Sequence, residues 1–250
     1  MNAEKLTQDC IAWIKEWFEN NGKDATAVLG LSGGKDSTIS AALIAKAIGK
    51  DRVIGVAMPA KGQSLNDADK IAEYLGIRFL IIPIDEIIAA FNNIPQKKGF
   101  VWSNQTEQNI PPRIRMTTLY AVSQSNNGRV VNTCNLSENW VGYATKYGDA
   151  AGDFSPLGKL TVTEVLAIGD CLNLPYEWVH KTPDDGLPHS TSDEEKLGFL
   201  YAEVDRLIRG EISLDYPGGI ERDKIELMYK WHRNNLHKIL PMPEFEPDFE

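Results

Sequence analysis

The chain contains 250 residues, of which 42% are hydrophobic and 24% are charged, and its formal net charge is −9. This composition is ordinary for a globular protein whose core is large enough to fold without disulfides or metal ions. Lys and Arg form no dense run, so we predict no nucleic-acid partner, because nonspecific binding to nucleic acid needs a basic footprint.

Apolar runs alternate with helical patterns through the first half of the chain. In chain order we predict a helix over 3–20, a strand over 25–31, a helix over 37–48, a strand over 52–58, a helix over 66–75, a strand over 78–84, a helix over 113–125 after the helix-breaking pair Pro111-Pro112, and a strand over 129–133. Strands that alternate with helices imply crossover connections. The predicted fold class is therefore α/β, with a doubly wound, mainly parallel sheet and flanking helices.

The pattern becomes mostly helical after Thr133, which predicts a helical C-terminal part. The predicted helices span 161–172, 192–209 and 223–236. Residues 92–104 and 181–191 have no regular pattern, and long irregular loops are often lids or ligand-binding loops. We expect residues 181–191 to close over a ligand. Since no repeat or linker is visible, residues 1–250 are interpreted as a single domain.

Cysteine usage and hydropathy exclude several classes of protein. The three cysteines are far apart and odd in number, so they predict neither a disulfide framework nor a zinc-binding pair. The N-terminal segment is amphipathic and contains acidic residues, unlike a signal peptide. Residues 79–91 form the most apolar stretch, but it contains Asp85 and Glu86 and is too short to span a bilayer. We therefore predict a cytoplasmic protein that does not associate with membranes.

A glycine-rich turn, LGLSGGKDSTIS at residues 29–40, follows the first predicted strand. It fails the Walker pattern, because Asp36 follows Lys35 and Leu29 stands where the first glycine is needed. A turn between a strand and a helix N-terminus is nevertheless a common phosphate site. A carboxylate beside phosphates favours a bridging divalent cation. The alternative is a tight turn at Gly33-Gly34 with no ligand, and the S-G-G-x-D-S pattern argues against it.

This turn resembles the loop of the N-type ATP pyrophosphatases, which cleave ATP between its α and β phosphates. Four further segments, in the correct order along nearly the whole chain, are similar to ammonia-dependent NAD synthetases. They are EQNIPPRIRMTTLYAVSQ (107–124), NTCNLSENWVGYATKYGDAAGDFSPL (132–157), TSDEEKLGFLYAEVDRLI (191–208) and NLHKILP (235–241). The most specific feature is TKYGD with a Glu eight residues before its Lys. The resemblance implies an adenine nucleotide alpha hydrolase-like fold.

The resemblance also implies a reaction, namely the amidation of deamido-NAD (nicotinic acid adenine dinucleotide) to NAD by a ligase that forms a C–N bond. ATP, the co-substrate, would adenylate the nicotinate carboxylate and release pyrophosphate, and ammonia would then displace AMP. Mg²⁺ is the expected cofactor, as Lewis acid and template. We expect no glutaminase domain, so free ammonia or ammonia from a separate partner would be the nitrogen source.

Site residues follow from the same resemblance. Asp36 and Glu138 would hold Mg²⁺ and, with Lys146, form the catalytic set. Because both carboxylates come just after predicted strand ends, they could face one crevice. The implied ATP contacts are Gly30, Leu31, Ser32, Gly33, Gly34, Lys35, Asp36, Ser37 and Thr133, and the implied deamido-NAD contacts are Arg113, Lys146, Asp153, His237 and Lys238.

Ordinary structural roles stay open for several of these residues. Glu138 alone would be a solvated carboxylate at a helix start, and Thr133 a β-branched strand residue. Lys146 would be an exposed helix lysine. His237 and Lys238 would interact with a helix dipole at a C-terminus. Cys134, which follows the end of the predicted 129–133 strand, would be either a nucleophilic thiol or, more commonly, a small buried residue.

Two positions depart from the commonest family pattern. Val162 stands where a lysine often contacts ATP, and Lys159 is a candidate substitute. Asp184 stands where a threonine usually follows the proline of the second loop, and Thr182 is the candidate substitute there. These departures weaken the ATP assignments on that side of the site, but they leave the turn and the carboxylate pair unaffected.

Two other functions compete with the amidation of deamido-NAD. An enzyme that adenylates a tRNA base would share the turn, but it needs a basic surface and usually appended domains. A non-catalytic nucleotide-binding protein is favoured by Val162 and disfavoured by the joint presence of Asp36, Glu138 and Lys146.

The family works as a homodimer with its substrate at the interface. Trp13, Trp17, Phe18 and the 113–125 helix could supply apolar area there or pack within one chain.

Overall fold

The computed structural model describes residues 1–60, 62–65, 67–180 and 192–248. Its strands form a four-stranded parallel sheet, and all five residues of the second strand are buried. Such continuous burial arises because helices cover both faces of the sheet. The strands are β1 (Thr26–Gly30), β2 (Val53–Ala57), β3 (Arg78–Ile81) and β4 (Gly128–Val130).

The spatial order of the strands is β3-β2-β1-β4. From β1 the chain moves outward through β2 to β3, and it then returns to add β4 on the other side of β1. In the register, Gly30 is opposite Val56 of β2, and Val28 is opposite Val130 of β4. The direction of winding therefore reverses between β1 and β4, and ligands of open α/β sheets bind at such a reversal.

Helices flank both faces of the sheet and make up most of the C-terminal part. Among the described residues they are α1 (Ala3–Asn21), α2 (Lys35–Ile48), α3 (Ala68–Leu75), α4 (Asp85–Asn92), α5 (Ile94–Lys98), α6 (Asn104–Ser125), α7 (Leu136–Val141), α8 (Val162–Cys171), α9 (Tyr176–Val179), α10 (Asp193–Leu197), α11 (Tyr201–Ile208) and α12 (Arg222–Ile239), with a 3-10 turn at Lys50–Arg52. In the described part of the chain, no helix has the length and apolar character needed to cross a membrane.

Successive residues of β1 point to opposite faces of the sheet and contribute to different cores. Leu29 packs with α1, α2 and α8, whereas Val28 packs with the buried residues of α6. A third apolar cluster joins α7, α11 and α12 away from the sheet. The predicted doubly wound α/β class and the helical C-terminal part are confirmed.

The aromatic side chains of α1 pack mainly within their own chain. Phe18 is only 1% exposed. Trp17 stacks on Phe154, with 4.3 Å between the ring centroids, while Trp13 is 43% exposed. Phe18 therefore cannot supply apolar area to a dimer interface. For this residue, packing within its own chain is the correct alternative.

The predicted start of the 113–125 helix is wrong, because α6 begins at Asn104. Ser103 caps the helix, and its hydroxyl accepts from the Thr106 N–H at 3.2 Å. Pro111 and Pro112 lie inside the helix, where each proline removes one main-chain hydrogen bond. The burial of Ile110 and Ile114 on either side of the prolines offsets that loss.

The predicted 192–209 helix is also wrong, since it is divided into α10 and α11. Gly198 ends α10 with a φ of +83°, and its N–H donates to the Glu194 carbonyl at 2.9 Å. Glycine favours this left-handed conformation because it has no Cβ. The break turns the chain so that Phe199 and Tyr201 are both buried.

Several element boundaries differ from the predictions. The strands predicted to end at Ile84 and Thr133 end at Ile81 and Val130, and helices α4, α7 and α9 were not predicted. The unassigned segment 92–104 contains α5. Residues 181–191, which we expected to close over a ligand and which include Thr182 and Asp184, lie outside the described residues.

Candidate functional site

The turn after β1 presents hydrogen-bond donors at the carboxyl edge of the sheet. Gly33 has a φ of +78°, which favours glycine. Gly34 occupies the N-cap of α2 and makes no side-chain cap, so the first N–H groups of α2 lack the usual capping oxygen. The hydroxyls of Ser32 and Ser37 lie 3.2 Å apart within the turn. These groups and the helix dipole suit an anion.

Asp36 and Glu138 are brought together by Asn135. The Asn135 side chain donates from Nδ2 to Asp36 Oδ1 at 3.2 Å and accepts the Glu138 N–H on Oδ1 at 3.0 Å. The Glu138 carboxylate in turn accepts the Asn135 N–H at 3.3 Å, which completes a capping box at the start of α7. The two predicted carboxylates therefore share one edge of the sheet, after β1 and after β4.

A buried lysine lies among these carboxylates. Lys35 Nζ donates to Asp36 Oδ2 at 2.7 Å, and both side chains are mostly buried. Burial lowers the pKa of Lys35, but the charges of Asp36 and Glu138 outweigh this effect and raise it above its ordinary value. Burial together with the Asp36 charge raises the pKa of Glu138 to about 8, against the opposing charge of Lys35.

Three residues that were not among the predicted site residues act on this group, namely Asn135, Asp193 and Tyr201. Asp193 acts electrostatically on Lys35, on Glu138 and on the hydroxyl of Tyr201. Burial, followed by the Glu138 charge, raises the pKa of Tyr201. The sequence did hold a signal for Asn135, because Asn135-x-x-Glu138 is a capping-box pattern.

The donor set fits a magnesium ion shared with phosphates. In the described ranges, no group of three or more His, Cys, Asp or Glu could hold a metal ion. Mg²⁺ does not need such a group, because it is usually bound by one or two carboxylates, waters and phosphate oxygens. Asp36 and Glu138 supply two carboxylates of this kind beside the turn that follows β1.

Arg113, Lys146, His237 and Lys238 form a second group. Lys146 Nζ donates to the His237 carbonyl at 2.6 Å, and Arg113 Nε donates to the Lys146 carbonyl at 3.3 Å. Lys238 Nζ donates to the Gly142 carbonyl at 2.9 Å. Lys146 lies in a turn, so its interpretation as an exposed helix lysine is wrong. The grouped cations suit an anionic ligand.

Asp153 and Thr133 lie on the segments that follow β4. The Asp153 carboxylate accepts from the Val130 N–H at 2.7 Å and from the Tyr120 hydroxyl at 3.3 Å. Its position is therefore fixed by β4 and α6. Thr133 is partly buried and lies between the end of β4 and the cap of α7, so it is not a strand residue.

The remaining candidate residues have structural surroundings. Cys134 is buried, and burial raises its pKa well above the ordinary value, which favours a packing role over a nucleophilic one. Val162 packs against the apolar cluster of α7, α11 and α12. Lys159 is exposed, and its carbonyl accepts from Arg209 at 3.1 Å.

Residues 6–241 match the family model described as NAD synthase. The chain belongs to the NAD synthase family. Among this family's proteins, the NH(3)-dependent NAD(+) synthetase of Methanococcus aeolicus is 38% identical over 83% of each chain. The NMN synthetase of Francisella tularensis has a TM-score of 0.86 at 29% identity and covers 100% of each chain. The NH3-dependent NAD synthetase of Campylobacter jejuni has a TM-score of 0.80 at 30% identity and covers 99% of this chain and 100% of its own.

Proposed function

We propose that this chain is an ammonia-dependent NAD synthetase, a ligase that amidates deamido-NAD at the expense of ATP. The observation that carries the proposal is the Asn135 bridge between Asp36 and Glu138, in a chain of the NAD synthase family. It holds two carboxylates beside uncapped helix N–H groups, an arrangement that suits a triphosphate and its divalent cation.

The proposed reaction has two steps. First, a carboxylate oxygen of the nicotinate attacks the α-phosphorus of ATP, and the bond from this phosphorus to the departing pyrophosphate oxygen breaks. Second, the nitrogen of ammonia attacks the acyl carbon, AMP departs with the bonding electrons, and the nitrogen loses a proton. Both departing groups are phosphates, so positioning and charge neutralisation are the main demands on the protein.

The first group of residues would bind ATP. The N–H groups at the start of α2 and the hydroxyls of Ser32 and Ser37 would donate to phosphate oxygens, with Gly30, Leu31 and Thr133 beside them. The Leu31 N–H already donates to the Val56 carbonyl at 2.9 Å, so Leu31 would contact ATP through its other atoms. Lys35 neutralises phosphate charge from its buried position. Asp36 and Glu138 would hold Mg²⁺, which when bound withdraws charge from the phosphate oxygens.

The second group would bind deamido-NAD. Its diphosphate and carboxylate are anionic, and Arg113, Lys146 and Lys238 supply cations that are already held in place by carbonyl oxygens. His237 and Asp153 would complete this site. Lys146 would then neutralise charge near the reacting carboxylate, which makes it the catalytic member of the group.

Amidation of the mononucleotide is a second candidate. The similarity to the NMN synthetase of Francisella tularensis over the full chain favours it. The chemistry at the nicotinate carboxylate would be the same, and only the binding of the second nucleotide would differ. Both reactions convert ATP to AMP and pyrophosphate, so these products do not distinguish the two candidates. A comparison of deamido-NAD with nicotinate mononucleotide as substrates does.

An endpoint assay tests the proposal. Purified protein is incubated with ATP, Mg²⁺ and ammonium chloride, together with either deamido-NAD or nicotinate mononucleotide, and parallel samples contain glutamine instead of ammonium. We expect NAD from deamido-NAD with ammonium only, and we expect Glu138→Gln to abolish it. A preference for the mononucleotide would select the second candidate. No amide product from folded protein would reject both.

We further propose that the whole chain acts as one domain, in the cytoplasm, as a homodimer with deamido-NAD at its interface. Exposed apolar side chains near α4 and α5 support the dimer, namely Phe91, Ile94, Phe100 and Val101, the last of which is 89% exposed. Contiguous apolar surface is typical of interfaces. Light scattering is expected to give twice the chain mass of 27.8 kDa, and a monomer would reject the dimer.

A further inference from the structure

Asp205 is a buried carboxylate that lies outside both groups of site residues. It belongs to α11 and is only 5% exposed. Its Oδ1 accepts from the Ser137 hydroxyl at 2.5 Å, and its Oδ2 accepts from Thr163 N and Thr163 Oγ1 at 2.8 and 2.6 Å. Burying a carboxylate is costly unless it is hydrogen-bonded, and these three hydrogen bonds supply the partners that the buried Asp205 carboxylate requires.

The network joins the starts of two helices. Ser137 precedes Glu138 in the first turn of α7, and its hydroxyl also accepts from the Val162 N–H at 3.0 Å. Thr163 lies in the first turn of α8. Asp205 therefore connects α7 and α8 through α11 and satisfies donors that would otherwise be unpaired at the start of α8.

The same face of α11 makes a second contact with α7. Tyr201 lies one helical turn before Asp205, so both side chains share that face. Its ring is buried with Val141 of α7. Its buried hydroxyl has no hydrogen-bond partner among the described residues, and the Glu138 charge, after burial, raises its pKa. This face of α11 thus packs against α7, the helix that carries Glu138.

We propose that Asp205 is a positioning residue for Glu138, acting through the hydroxyl of Ser137. The inference rests on the proposed role of Glu138 as a cation ligand. Asn135 fixes Glu138 relative to Asp36, and the Asp205–Ser137 contact fixes the turn that carries both Asn135 and Glu138. Without it, the first turn of α7 loses its anchor to α8 and α11, and the two carboxylates are no longer held at a fixed separation.

Four variants separate positioning from general stability. Ser137→Ala removes the link to α7, and Asp205→Asn weakens the network, because one of its two accepting oxygens is replaced by a donor. Thr163→Val removes a bond to Asp205 on the α8 side only. Glu164→Gln is the matched control, because Glu164 also caps α8 and accepts from Arg209 without touching Ser137.

The readout is Mn²⁺ binding, followed by electron paramagnetic resonance in the presence of a non-hydrolysable ATP analogue. Loss of an outer contact of a metal ligand typically lowers affinity 10- to 100-fold, so Asp205→Asn and Ser137→Ala are expected to weaken Mn²⁺ binding roughly tenfold. Thr163→Val and Glu164→Gln are expected to keep the wild-type affinity, even where thermal unfolding shows lower stability. In steady-state assays, the half-saturating Mg²⁺ concentration should rise in the first two variants while KM for deamido-NAD stays constant.

Wild-type Mn²⁺ affinity in folded Ser137→Ala would overturn the inference, as would equal losses in all four variants. Ser137→Ala removes a single hydroxyl, so it decides the question if Asp205→Asn does not fold. Glu138→Gln separates the two proposals. If it binds Mn²⁺ like the wild type, the cation role of Glu138 fails; if only it loses binding, that role stands and the role of Asp205 fails.

Discussion

Asn135→Ala tests how the site is assembled. The substitution removes an N-cap, which contributes about 1 kcal/mol, and a hydrogen bond to the Asp36 carboxylate, for which about 1.5–3 kcal/mol is typical. The expected loss is thus about 2.5–4 kcal/mol of unfolding free energy. At about 2–4 °C per kcal/mol for a chain of this size, the melting temperature should fall by roughly 5–15 °C.

The matched control is Asn2→Ala, the same substitution at the N-cap of α1, where Asn2 Oδ1 accepts from the Lys5 N–H at 3.0 Å. It should cost only the cap and leave kcat/KM unchanged. Asn135→Ala should lower kcat/KM by about 10- to 100-fold, because a group that orients the carboxylates is lost. Thermal unfolding and steady-state kinetics on both variants measure this. If the activity of Asn135→Ala matches that of Asn2→Ala, the bridge does not organise the site.

Two further variants test the second group and the pH dependence of stability. Lys146→Met removes a charged hydrogen-bond donor, and such a bond contributes about 1.5–3 kcal/mol, so kcat/KM for deamido-NAD should fall roughly 10- to 150-fold. Lys5→Met, on the exposed face of α1, is the control and should leave kcat/KM unchanged. Equal kcat/KM values for the two variants would reject the role of Lys146. Burial acts to raise the pKa of Glu164, but its bonds to Arg209 outweigh this and hold the pKa below its ordinary value of 4.5. The ionised form therefore stabilises the fold above 4.5, and this contribution is lost as the pH falls through the lower folded pKa. Urea unfolding should show Glu164→Gln less stable than the wild type at pH 7 and nearly equal to it at about pH 3, and an equal deficit at both values would contradict the ion-pair account.

Local patterns predicted the turn after β1 and most of the sheet. The apolar run ending at Gly30 and the glycines after it act over only a few residues, so the strand, the turn and the start of α2 follow from neighbouring residues. The same holds for the strand that becomes β2, which is buried throughout.

Contacts distant in sequence decided what could not be predicted. Pro111 and Pro112 argue locally for a helix boundary, but the burial of Ile110 and Ile114 against the sheet holds α6 together across them. A capping-box pattern identifies Asn135 as a helix cap, yet nothing near it in the sequence reveals its bond to Asp36. The role of Asp205 likewise depends on α7 and α8, which only the folded chain brings beside it.

The buried Lys35–Asp36 ion pair has a consequence for the order of ligand binding. An internal ammonium already occupies one of the carboxylates that a divalent cation would use, so the free cation must compete with it. A triphosphate offers Lys35 an alternative partner and releases Asp36. The ion pair would therefore make tight binding of the metal depend on the prior or simultaneous binding of the nucleotide. Calorimetric titration with Mn²⁺ should show weak binding without nucleotide and strong binding with it, and equal affinities would show that Lys35 does not compete.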